Sequence, residues 1–172
     1  KVSFSFIANS LIDLREDGDV KLKILSNLKQ LINIYEAWVN GLESELISLE
    51  IHLREAGAEN IAKCRKAIKR MRDGVDILES NPLMLKAFRI ANYAMLLQQV
   101  HGSLESRTAD SLFVKPNLNS DQYRENGWRP FQLAFLLMSI SGLPIQETFD
   151  EEARDIVDLI WFPTGGGKTE AY

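Results

Sequence analysis

Apolar residues recur along the first half of the chain at the alternating three- and four-residue spacing of a helix with one continuous buried stripe. The first run of this pattern begins at Leu25 and ends at Leu53, and the second begins at Ile61 and ends at Leu78. Between the two runs, the segment REAGAEN around Gly57 is typical of a helix end. The pattern therefore predicts two long helices that pack antiparallel as a hairpin.

The segment before the hairpin has a different period. KVSFSFIA, at residues 1–8, alternates apolar and polar side chains, which predicts a half-buried strand. A second alternation, of Val20, Leu22 and Ile24, fits either a strand that pairs with the first or the beginning of a helix. Residues 1–24 are interpreted as an N-terminal strand region.

Two further helices are predicted after the hairpin. Asn81 and Pro82 are typical of the N-cap and first position of a third helix, which would complete a helical region over residues 25–101. Residues 102–127 lose the periodicity and gain Gly, Ser, Asn and Pro, so they are predicted to be a linker. WRPFQLAFLLMSISGLP then predicts a short buried helix that ends near Gly142.

A nucleotide-binding sequence lies near the end of the chain. Residues 156–162 are apolar on both alternating faces apart from Asp158, which is typical of a central strand in a parallel sheet. They lead into PTGGGKT at 163–169, the second half of the phosphate-loop pattern G-x-x-x-x-G-K-[ST], with Phe162 where the first Gly would be. Glycines leave room for successive backbone N–H groups to converge on phosphate oxygens. The candidate phosphate-binding residues are Thr164, Gly165, Gly166, Gly167, Lys168 and Thr169.

Two of these residues have particular roles in the predicted chemistry. Lys168 is the candidate catalytic residue, because its charge can contact the β and γ phosphates of ATP. The Thr169 hydroxyl is suited to coordinate Mg²⁺.

The replacement of the first Gly separates classes of phosphate-loop enzyme. Pro-Thr-Gly-x-Gly-Lys-Thr resembles motif I of superfamily 2 helicases and translocases more than the loop of kinases or small GTPases. These helicases also carry an upstream Gln that reads the adenine edge, beside an aromatic residue that contacts the ring. RPFQ at 129–132 is similar to that element, with Phe131 and Gln132 in those roles. Alternatively, Gln132 is a polar residue at the end of a helix.

Several phrases, taken in order, resemble the N-terminal portion of the helicase subunit of the DISARM anti-phage defence system. They are YEAWV at 35–39, CRKAIKRMRDGVDIL at 64–78, AFRIANYAMLLQQ at 87–99, WRPFQLAFLLMSI at 128–140 and VDLIWFPTGGGKTEAY at 157–172. The resemblance covers most of the chain from about residue 35. It implies an ATP-dependent, DNA-binding motor that works with a DISARM partner subunit and, in the whole system, a DNA methyltransferase. By position it implies that Gly165, Gly167, Lys168 and Thr169 bind the phosphates and Mg²⁺, and that Gln132 reads adenine.

The predicted fold is mainly α. A long antiparallel helical hairpin and a third helix are followed, over residues 128–172, by the first helix, strand and phosphate loop of an α/β RecA-like helicase domain. The first residue is Lys1, and the Asp-Glu box, arginine finger and second motor domain would follow Tyr172. We therefore expect a segment of a longer protein that does not hydrolyse ATP by itself.

Six cations lie within ten residues of the second predicted helix and cover one half of it. A face of this kind could follow a nucleic-acid backbone. The interpretation that we favour is a solvated face paired with acids such as Glu43, Glu45, Glu50 and Glu55 of the preceding helix. No aromatic residue is interleaved, so base stacking is not suggested. The cations are Lys63, Arg65, Lys66, Lys69, Arg70 and Arg72.

Composition excludes some classes of protein and leaves others open. Hydrophobic residues make up 45% and charged residues 26%, which fits a globular protein. No apolar run approaches the roughly 20 residues of a membrane span and no leader precedes the first element, so we expect a cytoplasmic protein without a membrane partner. The net charge of −4 neither supports nor excludes a nucleic-acid partner.

Residues of types that often bind ligands are predicted to be structural. Cys64 is the single cysteine and is expected in the core, and neither His52 nor His101 has a partner at zinc-ligand spacing. The aromatic and Met residues that the helical spacing places in the core are Tyr35, Trp38, Phe88, Tyr93 and Met95.

Two other functions remain open. The chain could belong to a different phosphate-loop enzyme, such as a kinase or a AAA-type ATPase. It could instead be a non-catalytic module in which the hairpin docks a partner and the loop is a nucleotide sensor or remnant.

Overall fold

The computed structural model describes residues 6–7, 18–102, 127–143 and 155–159. Over these residues the chain is mainly helical, as predicted. In chain order its elements are β1 (Phe6–Ile7), α1 (Gly18–Glu45), a 3-10 turn (Leu46–Ser48), α2 (Ile51–Ser80), α3 (Pro82–Gly102), β2 (Gly127–Trp128) and α4 (Pro130–Ile140).

The chain divides into two compact units. The described part of one unit comprises β1, residues 18–24, α3, β2 and α4 as far as Leu133. The described part of the other comprises Leu25–Ser80 and the residues between Ala134 and Leu159 that lie within the described ranges.

α1 and α2 form the predicted antiparallel hairpin. Ion pairs join them, and in three of these pairs each step up α1 is matched by an equal step down α2, which is the register of antiparallel helices. The pairs are Lys29 with Glu79 at 2.6 Å, Glu36 with Arg72 at 2.5 Å and Glu43 with Arg65 at 2.6 Å.

The turn of the hairpin lies earlier in the chain than predicted. α1 ends at Glu45 and α2 begins at Ile51, so the expected helix end around Gly57 is wrong and Gly57 lies inside α2. A Cβ on Gly57 would lie 2.6 Å from Cδ1 of Leu46, a residue of the turn. The glycine therefore permits close packing of the turn on α2 and does not end a helix.

The turn is held by a side chain from the helix that follows it. Nε of Arg54 donates to the carbonyl of Leu49 at 3.0 Å, and its Nη2 donates to the carbonyl of Ile47 at 2.7 Å. These carbonyls have left α1 and have not yet entered α2, so they need partners outside a helix. Arg54 supplies them.

The apolar stripe of the hairpin is exposed near the turn and buried farther from the turn. Leu49 and Leu53, which the pattern assigned to the buried stripe, are exposed. The buried members in this unit are Leu25, Leu28, Leu31, Ile32 and Val39 on α1 and Ile61, Ile68, Met71, Val75 and Leu78 on α2.

Trp38 is not a core residue, contrary to the prediction. It is 55% exposed and stacks on Tyr35 with the ring centroids 5.6 Å apart. Trp38 immediately precedes the buried Val39, so it lies about 100° around the helix from the buried stripe. Cys64, also predicted to be in the core, is half-buried. Burial, followed by a hydrogen bond and charge interaction with Cys64, raises the pKa of Tyr35 to about 12.

α3 begins where the sequence predicts. Oδ1 of Asn81 accepts hydrogen bonds from the N–H groups of Leu83 at 3.0 Å and Met84 at 3.1 Å. These are two of the N–H groups that a helix leaves without an internal partner. The prediction of Asn81 as the N-cap and Pro82 as the first helical residue is confirmed.

Residues four apart on α3 form its buried face, namely Met84, Phe88, Asn92 and Leu96. Phe88 is thus in the core as predicted, and Met95 is half-buried. Tyr93 is exposed, so its prediction as a core residue is wrong, because it is one position past the buried Asn92.

The N-terminal strand prediction is confirmed in part. β1 pairs antiparallel with β2, placing Phe6 opposite Trp128 and Ile7 opposite Gly127. The rest of the predicted strand lies outside the described residues. The alternation of Val20, Leu22 and Ile24 belongs to α1, so the helical alternative is correct there. The predicted linker, apart from the end of α3 and Gly127, also lies outside the described residues.

α4 matches the predicted short helix and ends in a turn at Gly142. The Gly142 N–H donates to the carbonyl of Ser139 at 3.2 Å. Its later part packs closely on α2, because a Cβ on Gly74 would lie only 2.1 Å from the carbonyl oxygen of Leu137. No described helix is both long enough and apolar enough to cross a membrane.

Candidate functional site

The described residues include two segments that precede the predicted phosphate loop in the sequence. Phe131 and Gln132 lie in the first turn of α4, and residues 155–159 lead toward the phosphate loop. The loop itself lies outside the described residues, with all of its candidate ligands. These are Thr164, Gly165, Gly166, Gly167, Lys168 and Thr169.

Gln132 closes the N-terminus of α4. Its Oε1 accepts the N–H of Arg129 at 2.7 Å, and the residue is 4% exposed. With Pro130 as the first helical residue, Gln132 is third, the position from which a Gln side chain caps the preceding N–H in a capping box. This is the role of a polar residue at a helix end. Recognition of adenine by Gln132 stays a prediction, as does ring contact by the half-buried Phe131.

The residue that precedes this turn is anchored on α3. Nε1 of Trp128 donates to Oδ1 of Asn92 at 2.6 Å, and Nδ2 of Asn92 donates to the carbonyl of Phe88 at 2.6 Å. Both polar side chains are buried, so each needs these partners. Sequence reasoning missed Asn92, although a polar residue within the four-residue apolar spacing of α3 was a signal for a buried hydrogen bond.

Residues 156–159 do not form the predicted strand. They have no regular secondary structure, and the remainder of the predicted strand lies outside the described residues. Asp158, the polar residue that interrupts the apolar run, instead forms a bidentate ion pair with Arg70. Nη1 of Arg70 donates to Oδ1 at 2.6 Å and Nη2 donates to Oδ2 at 2.7 Å.

The Arg70 guanidinium lies in a partly buried, polar environment. The hydrogen bonds to Asp158 raise the pKa of Arg70 above its ordinary value, burial opposes that shift, and the charge of Asp158 adds to it. Nη2 also donates to the carbonyl of Met138 at 3.2 Å, while Nε is buried without a hydrogen-bond partner. Arg70 therefore carries a positive charge beside Asp158.

The other members of the basic face are largely compensated by acids. Arg65 pairs with Glu43 and Glu36, Arg72 pairs with Glu36, and Lys69 pairs with Asp73. Of the four acids named from the sequence, only Glu43 has this role. Lys63 and Lys66 form no ion pair with any residue in the described ranges. The favoured interpretation, a solvated face paired with acids of the preceding helix, thus holds for Arg65 and Arg72. Lys69 pairs within its own helix, and the partly buried Arg70 pairs with Asp158.

No group of three or more His, Cys, Asp or Glu side chains in the described part of the chain is arranged to hold a metal ion. The only metal that the sequence predicts is Mg²⁺ at Thr169, which lies outside that part.

The chain is similar to one known protein in particular, whereas no protein-family model matches it. It is 35% identical over 162 residues to the DISARM protein DrmA of Bacillus paralicheniformis, and the match covers 91% of this chain. The chain spans 13% of the length of that relative. The similarity supports the resemblance to a DISARM component that the sequence phrases indicated, and it leaves helicase activity untested.

Proposed function

We propose that the chain is the nucleotide-binding N-terminal portion of a component of a DISARM anti-phage defence system. The parent protein is an ATP-dependent superfamily 2 DNA helicase or translocase. The assignment to defence is supported by the similarity to DrmA over 91% of the chain. The ATPase activity rests on one observation, the sequence PTGGGKT at 163–169 directly after an apolar run.

The chemistry proposed for the loop follows from its residue types. Lys168 would neutralise charge on the phosphoryl group, and the Thr169 hydroxyl would be a ligand of Mg²⁺, which would supply further positive charge to the phosphates. Phe131 and Gln132 would contact the adenine. Oε1 of Gln132 accepts one hydrogen bond from Arg129, and its second lone pair and the Nε2 donors are the groups that would contact adenine.

The proposed partners are DNA and a DISARM partner subunit, and the proposed location is the cytoplasm. ATP and Mg²⁺ are the proposed substrate and cofactor. Steps along DNA would be driven by closure of two motor domains around ATP, of which this chain carries the beginning of one.

The test is Lys168→Ala in the full-length protein. We expect loss of ATP turnover and of protection against phage, because the β and γ phosphates lose their point charge. Lys86→Ala, which removes an exposed lysine of α3, is the matched control and should leave both unchanged. Turnover retained by Lys168→Ala would contradict the assignment. Turnover that DNA does not stimulate would favour a different phosphate-loop enzyme.

A second candidate function is a non-catalytic interaction module. The observation that favours it is a group of exposed apolar side chains at the turn of the hairpin, namely Ile47, Leu49, Ile51 and Leu53. Nucleotide binding without DNA-stimulated turnover in the full-length protein, together with unchanged phage protection in Lys168→Ala, would support this candidate over the motor.

A further inference from the structure

The turn between α1 and α2 consists largely of apolar residues that face solvent. Residues 46–53 have the sequence LISLEIHL and lack Gly, Pro, Asn and Asp, which are typical of turns. Ile47 is 77% exposed and Ile51 is 82% exposed, and Leu49 and Leu53 are exposed as well. We refer to these four side chains as the apolar tip. Adjacent exposed apolar side chains often mark an interaction site.

The backbone that carries the apolar tip is held by side-chain contacts. Arg54 donates two hydrogen bonds to carbonyls of the turn, and Oγ of Ser48 donates to the carbonyl of Glu45 at 2.6 Å. The side chain of Leu46 packs against α2 at Gly57. A surface whose backbone is already held loses less conformational entropy when it binds, so the tip is suited to docking.

The charges beside the tip are acidic. Arg54 is the only Lys or Arg in residues 45–59, and it already bonds the turn carbonyls. The same segment contains four exposed glutamates, which are Glu45, Glu50, Glu55 and Glu59. Glu50 contacts His52 at 3.4 Å, whereas the other three form no ion pair within the part of the chain that the structure describes.

Acids farther from the turn are paired within the hairpin. Glu36, Glu43, Asp73 and Glu79 each contact a Lys or Arg side chain of α1 or α2. The hairpin therefore compensates its acids along its length and leaves those beside the tip available to the cations of another molecule.

The combination of apolar surface and acidic charge determines the class of partner. DNA and an anionic membrane surface both carry negative charge, so the glutamates repel them. A protein segment that presents apolar side chains flanked by Lys and Arg is complementary to the tip in both respects.

We propose that the apolar tip docks a partner protein through an amphipathic helix of that partner, whose apolar side chains are flanked by Lys and Arg. The apolar face of the helix covers the tip, and its cations pair with Glu45, Glu55 and Glu59. The docking involves no residue of the phosphate loop. It therefore applies to the parent protein as a motor and as a non-catalytic module alike.

The probe for the test is a synthetic, fluorescently labelled peptide with leucine and lysine at amphipathic helical spacing, titrated into the full-length protein. Ile47→Ser with Ile51→Ser removes two apolar side chains from the tip. We expect the dissociation constant of the peptide to rise at least about tenfold, because the apolar contact is lost. Glu45→Gln with Glu55→Gln and Glu59→Gln should raise it at low salt and have less effect at high salt, because salt screens exposed charges.

Leu83→Ser with Ile90→Ser is the matched control. These side chains are exposed on α3, a helix that contains no Asp or Glu, so their loss should leave the affinity for the peptide unchanged. A second peptide, with serine in place of leucine, should bind the wild-type protein at least about tenfold more weakly than the first. Because all of the substituted side chains are exposed, the thermal midpoint of each variant should match that of the wild-type protein.

Several results would overturn the docking. One is a wild-type protein that does not bind the leucine–lysine peptide, and another is an affinity that both tip variants leave unchanged or that the α3 control lowers equally. A lower thermal midpoint of Ile47→Ser with Ile51→Ser would show that the tip packs within the parent protein. Self-association that this variant abolishes would identify a second copy as the occupant. ATP turnover by Lys168→Ala tests the nucleotide assignment separately, so the two proposals can fail independently.

Discussion

At the scale of single residues, three glycines of the hairpin look alike in the sequence and have different surroundings in the structure. A Cβ on Gly41 would meet no atom within 4 Å, one on Gly57 would meet side-chain atoms of Leu46 and Leu49, and one on Gly74 would meet the backbone of Leu137. A leucine side chain can rotate away, whereas the backbone of a packed helix cannot. Only Gly74 is therefore required by the fold.

This difference predicts opposite effects of one substitution at two positions. Gly74→Ala should destabilise the protein by about 3 kcal/mol, because the added methyl group would lie 2.1 Å from the Leu137 oxygen and forces α2 and α4 apart. Gly41→Ala should stabilise it by about 0.5–1 kcal/mol, since alanine is the better helix former. Urea unfolding followed by circular dichroism measures both. Equal stabilities of the two variants would contradict the close contact.

At the scale of elements, the sequence predicts features that depend on residues close together in the chain. It misses features that depend on contacts between residues far apart in the chain. The start of α3 follows from Asn81 and Pro82, because an N-cap bonds N–H groups two and three positions away. The turn of the hairpin was misplaced because Gly57 serves a contact with Leu46, and because Arg54 closes the turn from the following helix.

The candidate site follows the same rule. The phosphate-loop pattern and the RPFQ element are local and could be recognised in the sequence. The contact between Arg70 and Asp158 joins residues 88 positions apart, so no periodicity or spacing reveals it. Gln132 shows the limit of a motif, because the same spacing that suggests an adenine reader also suits the third residue of a capped helix.

The attachment of β2 and the start of α4 to α3 through Trp128 is testable at this scale. Trp128→Phe removes the indole N–H and leaves Oδ1 of the buried Asn92 without its donor, so we expect a loss of about 2 kcal/mol in unfolding free energy. Trp38→Phe, at an exposed position on α1, should cost less than about 0.5 kcal/mol. Thermal or urea unfolding compares the two. If both variants lose the same stability, the buried hydrogen bond does not anchor this part of the chain.

At the scale of the whole molecule, charge bears on the proposed interaction with DNA. The net charge of the chain is −4, and most cations of the basic face of α2 are paired with acids. A paired arginine must break its ion pair before it can bind a phosphate. A face of paired cations therefore contributes little to nucleic-acid affinity. Lys63 and Lys66 form no ion pair within the described ranges, so they can bind a phosphate without first breaking one.

Under the favoured interpretation of a solvated face, Lys63→Gln with Lys66→Gln leaves the salt dependence of DNA binding by the full-length protein unchanged. The measurement is the slope of the logarithm of the association constant against the logarithm of salt concentration, obtained by fluorescence anisotropy. Each phosphate contact contributes about 0.9 to this slope, so two lost contacts would reduce it by about 2. Lys86→Gln with Arg89→Gln makes the same change in net charge on α3 and controls for general repulsion of DNA. A slope reduced by the α2 pair and not by the α3 pair would show that the basic face of the hairpin follows the DNA backbone.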